Sequence, residues 1–234
     1  MALPRISSTV YEMTIPSTGK TVKFRPFLVK EQKALLLAQQ NDDTKVMINT
    51  LKGVIKDCVQ DDINVDTLAI FDLEYVLLQL RSKSIQEKAE LLFTCDACEK
   101  QTQISFDVTK IEITKNESHT NNIKLSDDIG VVMKYPSIDI VKKIDTLNTS
   151  DMDSIIEVIT SCIDYVYDSE NMYHAAEQTK EELADFVGTL NAQQFAKLQE
   201  FFNTMPKLEQ KVDFKCPHCG HEHNKTLQGI NNFF

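Results

Sequence analysis

The sequence predicts an α+β chain, mostly helical, with a small antiparallel β unit closed by four cysteines and a helical insert between the two halves of that unit. Three observations point there. Apolar residues recur at spacings of three and four across 29–85 and again after Pro136. Period-two runs dominate 89–114 and return after 207. The phrase Phe93-Thr94-Cys95-x-x-Cys98 also recurs as Phe214-Lys215-Cys216-x-x-Cys219, an aromatic, a polar residue and then CxxC. The implied segments are 1–88 (an N-terminal strand plus helices), 89–136 (a β section with the first cysteine pair), 137–206 (the helical insert) and 207–234 (the second pair and the tail).

Residues 1–27 read as extended. Gly19 marks a turn, Val22 and Phe24 alternate, and Pro26 closes an edge strand. A helix follows, with Leu35 and Leu36 near one face, until the polar run 41–44 breaks it. The second helix covers 43–59. Its stripe is Val46, Met47, Thr50, Leu51, Val54, Ile55 and Cys58, which makes Cys58 a small buried hydrophobe. A third helix starts with Asp72 as N-cap and turns Leu73, Val76, Leu77 and Leu80 inward. Arg81, Lys83 and Lys88 gather at its end, where cations suit the helix dipole.

The period then changes. Ile104, Phe106 and Val108 alternate, as do Ile111 and Ile113, and two further short strands flank the turn at Gly130. After Pro136 the pattern is helical. Ser137 can cap one helix, and Ile155, Ile156, Ile159, Cys162, Ile163 and Val166 form the stripe of the next. Residues 171–173 fall in a connection. Thr179 with Glu182, and Asn191 with Gln194, are capping-box pairs that start helices over 179–189 and 191–205. Met205-Pro206 stops the second one.

The composition is that of a globular chain: 42% hydrophobic and 26% charged residues among 234, which argues against gross disorder. The net charge of −10 repels a phosphate backbone, so nucleic acid is an unfavoured partner. No stretch approaches the roughly 20 apolar residues of a membrane helix, and the first residues lack the apolar core of a signal peptide. A cytosolic protein is expected, and in that reducing compartment paired cysteines bind metal or do redox chemistry more often than they form disulfides.

The four cysteines are the one constellation with chemistry. A CxxC turn places two thiolates on one side of a Zn²⁺ ion, and a second turn completes the tetrahedron. Cys95, Cys98, Cys216 and Cys219 are therefore read as a zinc-ribbon-like structural site holding one zinc per chain. A full sulfur shell leaves no position for water or substrate. The 117 residues between Cys98 and Cys216 require an inserted domain. Three alternatives stand beside this: a dithiol redox pair, a mixed shell using His218, His221 or His223, and four free buried thiols with no metal. Those histidines otherwise sit exposed or donate to the thiolates. His119 and His174 look like surface residues. No GxSxG, P-loop, GxGxxG or HExxH motif is present, so neither an enzyme nor a small-molecule substrate is expected.

Two segments carry a resemblance. Residues 23–31, KFRPFLVKE, running into ALLLA at 34–38, resemble the N-terminal signature of the T4-type phage baseplate protein family, and DLEYVLLQLRSKS at 72–84 resembles its second. The paired CxxC, the stretch from Phe201-Phe202 to Met205-Pro206 and the Phe-Phe ending fit as well. The resemblance spans nearly the whole chain. This family includes baseplate hub subunits and hub assembly factors. It implies a late viral protein, assembled in the host cytoplasm and present in the virion tail if it is a structural subunit. Its partners would be other tail or baseplate proteins, tape-measure or hub proteins among them. An assembly chaperone that leaves before the virion matures is the alternative. Arg25, Phe27, Arg81, Lys83, Phe233 and Phe234 are candidate partner contacts. Core packing is the competing reading for the first four, and folding back on the ribbon for the Phe pair.

Overall fold

A computed structural model describes residues 7–41, 43–85, 88–140 and 152–228. It divides into two compact units: 1–114 with 207–234, and 115–206. Among the described residues helix and strand make up 40% and 28%, a mixed α+β composition in which the strand share is larger than expected. Among the described residues no helix is long and apolar enough to cross a membrane.

In the first unit, β1 (Tyr11–Thr14) and β2 (Thr21–Phe24) form a hairpin, followed by α1 (Val29–Gln39), α2 (Thr44–Cys58) and α3 (Ile70–Ser84). The predicted stripes of α2 and α3 are largely inward: Leu51, Val54, Ile55, Cys58, Leu73, Val76, Leu77 and Leu80 are all buried. Leu36 departs from expectation. It is 53% exposed, because α1 buries Leu35 and Ala38 and turns the next positions outward.

Asp72 also departs. The N-cap of α3 is Ala69, and Asp72 lies in the first turn, fully buried. It accepts the Ser17 backbone N–H at 2.9 Å and the Ser17 hydroxyl, which compensates a buried carboxylate. Burial still raises its pKa.

The two family-like signatures meet here. Arg25 Nη2 donates to Glu31 Oε1 at 2.9 Å, and Glu31 reaches back to the Leu28 N–H at 2.7 Å, half of a capping box that starts α1. The Phe27 N–H donates to Ser84 Oγ at 2.9 Å, tying the first signature to the end of the second.

Next come β3 (Lys88–Thr94), β4 (Gln101–Asp107) and β5 (Glu112–Thr114), and at the far end of the chain β10 (Lys207–Lys215) and β11 (Glu222–Gln228). β3 pairs with β4, and β10 pairs antiparallel with both β11 and β5. Thr114 and Lys207 are direct partners in that ladder. The insertion, residues 115–206, thus leaves and re-enters at one rung, which is how the two cysteine pairs can meet across 117 residues of sequence. Leu78 of α3 packs with Ile104, Phe106, Ile111, Leu208 and Val212 in the core beneath both hairpins.

The second unit is an antiparallel sheet in the order β6 (Asn122–Lys124), β7 (Gly130–Met133), β8 (Ile163–Tyr167), β9 (Met172–His174), with α4 (Met152–Ser161), α5 (Lys180–Gly188) and α6 (Ala192–Thr204). Its core joins Val131, Met133, Ile159, Ile163, Val187 and Phe201. The insert is therefore not simply helical. α4 stops at Ser161, and the stripe residues Ile163 and Val166 belong to β8. Met172 and Tyr173, which the sequence places in a connection, lie with His174 in the edge strand β9. A β-branched and aromatic run beside an unpaired β7 edge gains more from ladder hydrogen bonds than from extending the helix. Both capping boxes form at Thr179/Glu182 and Asn191/Gln194.

His119 is not a plain surface residue. Its ring packs against both Tyr135 and Phe201, which also touch each other, with Nδ1 3.0 Å from Thr204 Oγ1 and Nε2 3.1 Å from Tyr135 Oη. Burial lowers its pKa.

Candidate metal centre

Each CxxC forms the turn of a hairpin. Thr94 pairs with Gln101 and Lys215 with Glu222, so residues 95–100 and 216–221 are the two loops. The loops share one hydrogen-bond pattern. The Cys95 N–H donates to Lys100 O and the Glu99 N–H to Cys95 O, at 2.9 and 2.8 Å. The Cys216 N–H donates to His221 O and the Gly220 N–H to Cys216 O, at 2.8 and 2.9 Å. The residue after each second cysteine is left-handed, Glu99 at φ 57° and Gly220 at φ 75°. Only the second knuckle has the glycine that this backbone favours. The aromatics of the repeated phrase, Phe93 and Phe214, touch at 5.5 Å between ring centres, so the two knuckles share a wall.

All four sulfurs lie within 4.8 Å of one another. Cys95 Sγ is 3.7 Å from Cys219 Sγ, and Cys98 Sγ is 3.8 Å from Cys216 Sγ. Four sulfurs about 2.3 Å from a central ion in a tetrahedron are about 3.8 Å apart, so the donor set fits zinc in both type and spacing.

Electrostatics agree. Burial pushes the Cys216 thiol up, but the N–H groups of His218 and Cys219 outweigh it and bring it down to about 6. The His221 N–H favours the Cys219 thiolate, yet burial and the neighbouring sulfurs push that thiol up to about 12. Crowded thiolates repel one another, so one ionises at the expense of another. A divalent cation at their centre removes that conflict.

The histidines divide. His218 and His221 are exposed. His223 is buried, stacked on Phe214 at 4.7 Å, with Nε2 3.2 Å from Cys95 Sγ. That position suits an N–H donated to the sulfur, the outer-shell role. Its Nδ1 faces Asp96 Oδ2 at 3.8 Å, and Lys225 Nζ holds the same oxygen at 2.7 Å. Thr102 Oγ1 lies 3.9 Å from Cys216 Sγ. Asp96, Lys225 and Thr102 escaped the sequence reading, since only the fold brings them to the sulfurs. The alternation of β11 does turn His223 inward.

The other candidate residues are dispersed. Arg25 donates to Glu31 and to Pro26 O, and Phe27 is buried. Arg81 is half-buried, which lowers its pKa. Lys83 is exposed, its Nζ 5.7 Å from the Tyr11 ring centre. Phe233 and Phe234 lie outside the described residues.

Residues 8–234 match the family described as T4 bacteriophage base plate protein. The chain is similar to the baseplate hub assembly protein gp26 of Enterobacteria phage T4, at 24% identity over 226 residues, covering 96% of this chain and 97% of that protein. No solved structure matches. With a family match over nearly its whole length, the chain belongs to the T4 base plate protein family.

Proposed function

We propose that this member of the T4 base plate family works in assembling the hub of a contractile-tail baseplate, by binding other tail proteins and without catalysing a reaction. The observation that carries this reading is the end-to-end similarity to gp26, a baseplate hub assembly protein. Two features of the chain support it. The only four-donor cysteine cluster among the described residues is saturated by its own sulfurs, which suits a clasp better than a reaction centre. Exposed apolar side chains such as Val29, Leu36 and Leu37 are the kind a partner covers.

The ion proposed for the cluster is zinc, held by Cys95, Cys98, Cys216 and Cys219, one per chain. Its chemistry there is structural: it neutralises the thiolates and joins two hairpins from distant parts of the sequence. The protein would act in the host cytoplasm during assembly and remain in the virion tail if it is a subunit.

Infection with a phage in which this gene is silenced should yield tails or baseplates stalled without a complete hub. Normal tails would overturn the role. Mass spectrometry of purified virions separates a subunit, present in stoichiometric amount, from an assembly chaperone that has departed. Metal analysis should find about one zinc per chain, and X-ray absorption should show sulfur neighbours only. An oxygen neighbour would return the enzyme or redox reading.

A further inference from the structure

The second unit carries an apolar slot of about 230 Å³ at the open end of its core. The slot follows from the sheet register. Val131 of β7, Val166 of β8 and Tyr173 of β9 form one cross-strand row. Along this row, exposure rises from zero at Val131 to 42% at Tyr173, because α5 covers the inner strands with Leu183 and Phe186 but not the edge. Ile129, 40% exposed, completes the rim from the other side.

Two carboxylates flank this apolar floor, and local hydrogen bonds fix both in place. Asp168 Oδ1 accepts the N–H groups of Glu170 and Asn171 at 2.8 and 2.7 Å, and its Oδ2 accepts the Tyr173 hydroxyl at 2.9 Å. Glu182 Oε2 accepts the Thr179 N–H and hydroxyl at 2.8 and 2.9 Å. These donors favour the charged form of each group. The wider surroundings share the sign. Residues 115–206 contain 7 Lys and Arg against 16 Asp and Glu, whereas the rest of the chain has 18 against 19, so nearly all of the net charge of −10 lies on this unit.

We propose that this slot docks a basic peptide segment of another protein, seating one bulky apolar side chain on the floor while flanking lysines or arginines meet Asp168 and Glu182. The volume fits that occupant. It holds one or two large side chains and falls below the roughly 300–1,000 Å³ of pockets that enclose small organic ligands. The charge names the partner's sign, and the long-range field of an acidic unit raises the rate at which such a segment arrives. The proposal rests on the reading of the chain as a partner-binding assembly protein and supplies the chemistry of one partner.

The test uses the full chain and a fluorescein-labelled peptide, Lys-Lys-Leu-Phe-Lys-Lys, followed by anisotropy. Binding should weaken as salt rises, and the peptide with glutamates in place of lysines should not bind. Ile129→Ser and Tyr173→Ser, both at exposed positions, should each weaken binding at least fivefold while leaving the circular dichroism spectrum unchanged. No binding of the lysine peptide, equal binding of the glutamate peptide, or unchanged affinity in both variants overturns the proposal. So does a dimer in light scattering that Ile129→Ser abolishes, since the occupant is then a second copy. Peptide binding as expected, together with normal tails from the silenced phage, would overturn the assembly role and keep the surface.

Discussion

The two units meet opposite structural problems. The first is built from two separated stretches of chain, 1–114 and 207–234, and carries almost balanced charge. The second is continuous, 115–206, and strongly acidic. In the first, two small hairpins pack on α3 and bring four sulfurs together at their turns. In the second, a four-stranded sheet and its helices close around an aliphatic and aromatic core, and its single cysteine, Cys162, is only a buried hydrophobe whose thiol burial pushes up to about 12. The ribbon's apolar core lies beneath the strands, so at the turns an ion bound by the four sulfurs would act as a clasp. A continuous unit with its own core can leave an apolar slot open to solvent.

The sharpest way to break this contrast is to remove the clasp. Cys95→Ser, or a strong chelator, should unfold the ribbon and lower the melting temperature of the first unit by more than about 10 °C. Hydrogen exchange should show the second unit still protected. Loss of protection throughout would mean that the units do not differ in what holds them.

Acid probes the first unit a second way. Burial alone would raise the Glu31 pKa, but Arg25, the Leu28 N–H and Lys30 hold the carboxyl down at about 2. A depressed folded-state pKa stabilises above the unfolded value, near 4.5, and the contribution is lost as pH falls from there towards about 2. About 3 kcal/mol is at stake for this nearly inaccessible group. Glu31→Gln should abolish most of that acid dependence in urea titrations. An unchanged slope would refute the assignment.

The matching test of the second unit is Gly130→Ala. A Cβ there would fall within the Tyr167 ring, which covers the glycine and donates its hydroxyl to Asn122 Oδ1 at 2.7 Å. The substitution should cost about 2 kcal/mol in denaturant melts, and Tyr167→Ser in the same chain should recover most of it. Additive losses would show that the ring is not the obstacle.

The smallest effect compares the knuckles with each other. Glu99 takes the left-handed backbone that Gly220 takes in the second turn. Glu99→Gly should stabilise by about 0.5–1 kcal/mol, and Gly220→Ala should destabilise by about the same amount. A change of the same sign at both positions would show that the two turns do not share this backbone.

Local chemistry was legible in the sequence because it is encoded in short spacings. The CxxC pairs, the repeated aromatic phrase and the capping boxes of α5 and α6 need only three to six residues to declare themselves. The helix-to-strand change after Ser161 was not legible. Ile159, Cys162, Ile163 and Val166 fit a helical stripe, and the choice depends on β7, some thirty residues earlier, offering an edge. Asp72 looks like a cap in the sequence because acids favour helix starts, but its buried place depends on Ser17 across the unit.

By itself the sequence determined the four cysteines of the candidate metal centre, the acidic balance and the mixed α+β class of the fold, since these follow from residue identity and short-range periodicity. Tertiary structure decided the rest: that Thr114 and Lys207 share one rung, that His223 and not its neighbours faces a cysteine sulfur, and that Asp168 and Glu182 flank an open apolar slot. The physical reason is range. A thiolate's affinity for metal and a residue's helix preference are carried by a few adjacent residues, whereas strand pairing, burial and field are sums over groups that only the folded chain brings together.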